Sequence, residues 1–166
     1  MPPVPTLQTE RLLLRPQIAA DWDQYRDLMQ SDKARFMGGT FSLREAWGLF
    51  CHDLAQWQLF GHGALMVECR DSGRCFGQVS INAGPLFPER ELGWLLYPEA
   101  EGQGYAYEAA LALRDWAFGT AGFSTLVSYV SPDNARSQRL AERLGAVLDP
   151  RAAPQAPGDL VYRHSP

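Results

Sequence analysis

Three places in this chain combine residue types and spacings that could support chemistry. The first is Gly102-Gln103-Gly104, which lies between the apolar run "ELGWLLYP" and the helix-periodic "YAYEAALALRDWAFGTAG". Glycines at 102 and 104 and the small Ala106 allow a tight turn, and the N–H groups from Tyr105 onward then converge at a helix start. Unpaired donors and a partial positive charge there suit a diphosphate. The alternative is a plain glycine-rich turn between strand and helix, since a lone GxG is a weak signal. The string GxxxxGK followed by Ser or Thr is absent. A dinucleotide fingerprint fails as well, because Tyr107 stands at its third glycine and no acidic residue ends the following "TLVSYV". The second place is Glu91, at the entry to the apolar run, which reads either as a working carboxylate or as a solvated strand-end charge. The third is Asn134 with Ser137, at the start of "NARSQRLAERLG", which reads at least as a helix cap and its first turn.

The surrounding elements must position these groups. "RLLLRP" reads as a short strand ended by Pro16. "AADWDQYRDLMQ" sets Trp22, Tyr25, Leu28 and Met29 on one helical face. "SLREAWGLFCHDLAQWQLFG" opens with Ser42 and Glu45 at capping-box spacing and stops at Gly61. "ALMVECR", "DSGR" and "CFGQVSIN" read as strand, turn, strand, and "AGPLFPER" as a loop. "ELGWLLYP" is a strand, "YAYEAALALRDWAFGTAG" a helix, "TLVSYVS" a strand, and "NARSQRLAERLG" a helix ended by Gly145. After the loop "RAAPQAPGD", "LVYRH" is a last strand. No repeat and no linker divides the chain, so the expectation is one domain over residues 1–166, α+β or mixed α/β around a single central sheet.

Composition narrows the classes. The 166 residues are 46% hydrophobic and 20% charged, with a net charge of −4. This is an ordinary globular composition, and it argues against a protein that lives on phosphate contacts to nucleic acid. No apolar run reaches membrane-spanning length and "MPPVPTLQTERLLLRP" has no signal core, so a cytoplasmic protein without nucleic-acid or membrane partners is expected. Cys51, Cys69 and Cys75 form no CxxC pair, and neither a disulfide framework nor a metal site is expected. Cys69 and Cys75 flank "RDSGR" and could meet across a hairpin.

The motifs, taken in order, resemble those of the GCN5-related N-acetyltransferases, the GNAT family. "GWLLYPEAEGQGYAYEAALAL" is similar to its motif A, with Gly104 and Ala106 matching the signature and Gly102 a frequent extra glycine. "NARSQRLAERLG" resembles its motif B, and "TERLLLRP" the opening of the branch of ribosomal-protein N-terminal acetyltransferases. Together these cover Thr9 to about Tyr162. The sequence departs from the pattern at Glu101, where the signature has Arg or Gln, at Ala141, where many members have a tyrosine, and at Ala146, where phenylalanine is usual. The resemblance implies a twisted mixed sheet, mostly antiparallel, of about six or seven strands flanked by helices. The "ELGWLLY" and "TLVSYVS" strands would lie parallel and splay apart.

It also implies transfer of an acetyl group from acetyl-CoA to a primary amine, by direct attack in a ternary complex. The cofactor would be held by Trp94, Leu95 and Leu96 pairing with the pantetheine arm, by Gly102, Gln103, Gly104, Tyr105 and Ala106 at the diphosphate, and by Asn134 and Ser137. Strand alternation sets Glu91 on one face with Gly93, Leu95 and Tyr97, at the end where substrate would enter. Glu91 is the expected base and Ser137 the expected acid, and Glu108 supports the helix dipole. Phe36, Phe41 and Phe87, in loop-like segments, are expected to line the acceptor pocket with Glu91. Acids at Glu89 and Glu91 suit a cationic acceptor, either a small-molecule amine or a peptide N-terminus. A homodimer is left open. Two other readings remain at this point: a CoA-binding sensor without catalysis, and a nucleotide-binding protein using the GxG turn.

Overall fold

The computed structural model describes residues 3–166 and is organised by one eight-stranded sheet in the order β1-β2-β3-β4-β5-β6-β8-β7. Its strands are β1 (Leu7–Gln8), β2 (Leu12–Arg15), β3 (Ala64–Cys69), β4 (Cys75–Asn82), β5 (Glu91–Leu96), β6 (Leu126–Val130), β7 (Val147–Leu148) and β8 (Leu160–His164). The helices are α1 (Trp22–Met29), α2 (Leu43–Phe60), α3 (Tyr105–Gly119) and α4 (Ala135–Arg143). The six strands expected from periodicity are all present. The structure adds β1 and β7, each two residues long, which extend the expected six or seven to eight. It also turns Asp32–Met37, expected as loop, into a 3-10 helix.

Every neighbouring pair in the sheet is antiparallel except β5 with β6. Those two strands run parallel and meet at one register pair, Glu91 with Val127, beyond which they separate. β4 and β5, by contrast, pair along six positions, from Gly77–Leu96 to Asn82–Glu91.

The sheet is covered on both faces. Leu12, Leu14, Val79, Ile81, Leu92 and Leu126 pack against Ala109, Ala110, Leu113 and Ala117 of α3 in the main core. The other face carries Met66, Cys75, Leu95 and Tyr97, which meet Leu28 of α1, and α1 closes on α2 through Tyr25, Met29 and Phe50. The capping box at α2 is formed as its spacing predicts: Ser42 N–H donates to Glu45 Oε2 at 2.8 Å, and Glu45 N–H to Ser42 Oγ at 3.2 Å. Cys69 and Cys75 lie on adjacent strands, with Glu68 opposite Cys75, and all three cysteines are free thiols. Among the described residues no helix is long and apolar enough to cross a membrane.

β4 carries a bulge that matters for the site. Val67 pairs with Gly77 but Glu68 pairs with Cys75, so Phe76 is the extra residue. The bulge sends Phe76 to the α3 core and leaves Cys75 and Gln78 facing α1 and α2. It also brings Gly77, at φ 152°, against β5, where an added Cβ would lie 2.8 Å from Leu96 Cα and still nearer the Leu95 carbonyl. Gly77→Ala is therefore expected to cost about 2–4 kcal/mol, because backbone rather than a yielding side chain blocks the methyl. Urea unfolding measures this. A loss below about 0.5 kcal/mol, the size of an ordinary surface substitution, would contradict the close approach.

Candidate active site

The separation of β5 from β6 leaves peptide groups without a strand partner. Arg90 C=O accepts from Val127 N–H at 3.0 Å, and Leu92 C=O accepts from Ser128 Oγ at 2.7 Å, so both carbonyls point toward β6. Main-chain groups alternate sides along a strand, hence Trp94 and Leu96 also face β6, where no backbone meets them. Leu95 faces β4. The apolar strand thus offers an edge of two residues inside the sheet, the feature that β-augmentation uses.

Two cavities open on this gap, each of about 670 Å³. The outer groove is lined by Trp94, Leu95, Leu96, Glu101, Gly102, Gly104, Ala106, Tyr107, Asn134 and Ser137, among others. The inner cavity is lined by Phe36, Phe41, Phe87 and Glu91, with Asp53, Gln78, Ser80, Asn82 and Tyr129. Phe36, Trp94, Leu95, Asn134 and Ser137 border both, so the two meet beside the β5 edge.

At the outer end, Gly102 and Gly104 take φ of 78° and 82°, and no side chain caps α3. The first N–H groups of α3 are left without intrahelical partners, as at any helix start. The turn is pinned from behind. Glu108 accepts from Thr9 Oγ1 at 2.6 Å, from Arg11 N–H at 2.8 Å and from Arg11 Nε at 2.7 Å, and Arg11 Nη1 donates to Gln103 C=O at 2.9 Å. Glu108 therefore does more than complement the helix dipole: it ties the "TERLLLRP" segment to the glycine turn. The side chains of two expected residues turn away from the groove. Tyr105 stacks on Phe76 at 4.7 Å with Arg11 over its ring, and the Gln103 side chain reaches Glu99 C=O and Tyr105 Oη. Only their backbone remains at the turn.

Glu101 does not face the groove as an unmatched acid, since Arg136 Nη1 pairs with it at 3.0 Å. Lys33, Arg35, Arg136 and Arg143 bring cationic groups to the same groove, and sequence reading missed all four because nothing in their spacing links them. Asn134 Oδ1 caps α4 by accepting from Ser137 N–H at 3.2 Å. Ser137 Oγ accepts from Trp94 Nε1 at 3.2 Å, so its own hydrogen stays available to another acceptor. Ala141 is fully buried against Val130, Ala146 and Tyr162 and does not reach the groove.

In the inner cavity Asn82 Nδ2 donates to Glu91 Oε2 at 2.8 Å and to Ser80 Oγ at 3.1 Å. Gln56 Nε2 fixes Asn82 in turn, at 2.9 Å. Burial pushes the Glu91 carboxyl up to about 7, and the Asn82 donor only partly offsets this. Glu89 is not available to an acceptor: both its oxygens are held by Arg163 at 2.8 Å, which keeps its carboxyl below the ordinary range. With Tyr129 Oη accepting from Glu89 N–H at 2.9 Å, this pair anchors the loop that carries Phe87. The inward polar residues Gln78, Ser80 and Asn82 were missed in the sequence, although their two-residue spacing against Val79 and Ile81 is the signal.

A family model described as "Acetyltransferase (GNAT) domain" matches residues 11–147. An acetyltransferase from Agrobacterium tumefaciens str. C58, solved by crystallography, is 57% identical with a TM-score of 0.97, covering 100% of this chain and 97% of that one. A RimL ribosomal alpha-N-protein acetyltransferase in complex with coenzyme A aligns with a TM-score of 0.75 over 97% of this chain and 98% of that one; at 18% identity the likeness is one of fold. YkkB of Bacillus subtilis (strain 168), an uncharacterised protein, is 30% identical over 88 residues, 52% of this chain and 51% of that protein. The chain thus matches about half the length of this curated relative.

The Glu91 environment has a consequence for stability. Its carboxyl is raised from the ordinary 4.5 to about 7 in the folded state, so the folded chain binds a proton that the unfolded chain has lost. The parent should lose stability as pH rises from about 4.5 to about 7 through this group, and Glu91→Gln should not. Glu91→Gln is expected to melt with the parent below this window and above it at higher pH. Equal melting temperatures across the whole range would refute the raised carboxyl.

Proposed function

The chain belongs to the GNAT acetyltransferase family, and we propose that it transfers the acetyl group of acetyl-CoA to a primary amine by direct attack within a ternary complex. The observation that carries this reading is the opened β5 edge, with the glycine turn at one end and Glu91 at the other. Two positive-φ glycines and an uncapped helix start fit a diphosphate, and nearby cations match its charge. When bound, acetyl-CoA supplies the acetyl group activated as a thioester.

The rest is the work of this chain's residues. The peptide groups of Trp94 and Leu96 would hold the pantetheine arm as an added strand, and an N–H of that edge would polarise the thioester carbonyl. Asn134, its Oδ1 engaged in the cap, has its Nδ2 donors for the same arm. A free alkyl ammonium has a pKa of about 10.4 and must lose a proton before its nitrogen can attack. Glu91 takes that proton, directly or through water. At about 7 it is a stronger base than an ordinary carboxylate and is mostly ionised in mildly alkaline solution. As the N–C bond forms, the C–S bond breaks; Ser137 would pass its hydroxyl hydrogen to the departing thiolate and take back the second proton that the nitrogen sheds on becoming an amide, so that the serine ends neutral. A leaving thiol of pKa about 8.5 needs only modest help, so a serine suffices where the buried Ala141 supplies none. The acceptor is a small amine or a peptide N-terminus, the cationic classes that a cavity with a carboxylate suits.

Thiol release from acetyl-CoA over a panel of amines tests the reading. The parent's rate should rise with pH through Glu91's value of about 7. Glu91→Gln should lower kcat by roughly 10²–10⁴-fold with little change in KM for acetyl-CoA, and the loss should shrink at high pH. A variant whose profile matches the parent's would move the base to another group.

A further inference from the structure

The inner cavity holds a second buried acid that acetyl transfer, as derived above, does not use. Asp53 lies in the middle of α2, 7% exposed, and lines the cavity with Glu91. Tyr25 Oη and the Gln78 amide both donate to its Oδ2, at 3.0 and 3.1 Å, and Gln78 is held by Gln17 at 3.2 Å. Its Oδ1 takes no hydrogen bond from any described residue. Neither Asp53 nor Glu91 forms an ion pair among the described residues. Arg35, which borders the same cavity, is stacked over Phe36 at 4.7 Å.

A carboxyl placed here for packing alone is an expensive choice, because burying an unpaired charge is unfavourable. Burial accordingly pushes Asp53 up to about 7, so in the empty cavity a large share of it is protonated near neutral pH. Beside it, His52 also lines the cavity, stacked on Phe87 at 6.2 Å, with Nε2 buried and unpartnered and its imidazole kept neutral by burial. The cavity therefore has one carboxylate for the reacting amine at Glu91 and a second, deeper acceptor with no cation to meet it. A monoamine would leave that second group unmatched.

We infer that Asp53 recognises a second amino group, so that the acceptor is a small diamine or polyamine: one nitrogen stands at Glu91 for acetylation and another donates to Asp53 Oδ1. This rests on the amine-acceptor reading above. An alkyl ammonium supplies the donor and the charge that Asp53 lacks, and the aromatic side chains of Phe41 and Phe87, which line the same cavity, can cover the methylenes between the two nitrogens.

Calorimetric titration of the CoA-bound protein with α,ω-diaminoalkanes, each against the monoamine lacking the second nitrogen, tests this without turnover. The parent should bind the best diamine roughly ten- to hundredfold more tightly than its monoamine. Asp53→Asn keeps the shape and can still accept from Tyr25 and Gln78, and it should erase that preference while acetyl-CoA affinity stays near the parent's and the melting temperature falls no lower than the parent's, since the variant has no buried carboxyl to ionise. Equal binding of the two series by the parent, no binding of either, or a preference that survives in Asp53→Asn would overturn the inference. Absence of acetyl transfer to any amine would instead count against the function proposed above, and the titration reads the Asp53 preference independently of it.

Discussion

The architecture of the site depends on where β5 and β6 stop being neighbours. Their one register pair, Glu91 with Val127, keeps the sheet continuous, and one position further a side chain takes over from the backbone. Ser128 Oγ donates to Leu92 C=O at 2.7 Å and meets His164 Nε2 at 2.9 Å, with all three residues buried. Burial holds the His164 imidazole neutral, at about 4, so it can donate from Nε2 without bringing a charge into the core. The hydroxyl closes the seam by satisfying the last carbonyl that β6 can reach, and the groups of Trp94 and Leu96 beyond it are left open. An unpaired peptide group in a protein interior is costly, so this edge is stable because it borders cavities rather than core.

Two different surfaces then meet along that edge. On the outer side, backbone is the recognition element: glycine φ values and a helix start, braced by Arg11 and Glu108 from behind. On the inner side, recognition is left to side chains, through the polar face of β4 that α1 and α2 cover. Gln78, Ser80 and Asn82 each have partners, and the network ends on the carboxyls of Asp53 and Glu91. Fixed amides hold each acid in place without neutralising it, which leaves both carboxyls poised near neutrality by burial. Such a network is costly unless nearly every member is satisfied, and the atoms left over are those that face the cavity.

Much of this was legible in the residues themselves. The GxG turn, Asn134 at a helix start and the alternation of β5 follow from local chemistry, and the order of the motifs identified the family. Phe36, Phe41, Phe87 and Glu91 do converge on one cavity. The two-residue strands β1 and β7 were not legible, because Leu7–Gln8 and Val147–Leu148 have no period of their own and are strands only by virtue of their partners. Position alone sets Gln103 and Tyr105 at the groove, but the Gln103 side chain folds back on Glu99 C=O and Tyr105 Oη, and the Tyr105 ring lies between Phe76 and Arg11, distant in sequence. Glu89 reads as an open acid in the sequence, but Arg163, far along the chain, holds both its oxygens. Asp53 sits in a helix whose one other acid, Glu45, is exposed, and only the fold sets it against Gln78.

If the β5 edge receives an extended ligand through Trp94 and Leu96, their amides must change environment when CoA binds. Residue-resolved amide hydrogen exchange with and without CoA addresses it directly. The Leu95 N–H is bonded within the sheet and should exchange slowly in both states, whereas Trp94 and Leu96 should exchange readily in the free protein and become protected on binding. Trp94 and Leu96 amides that stay equally fast when CoA is bound would contradict the account.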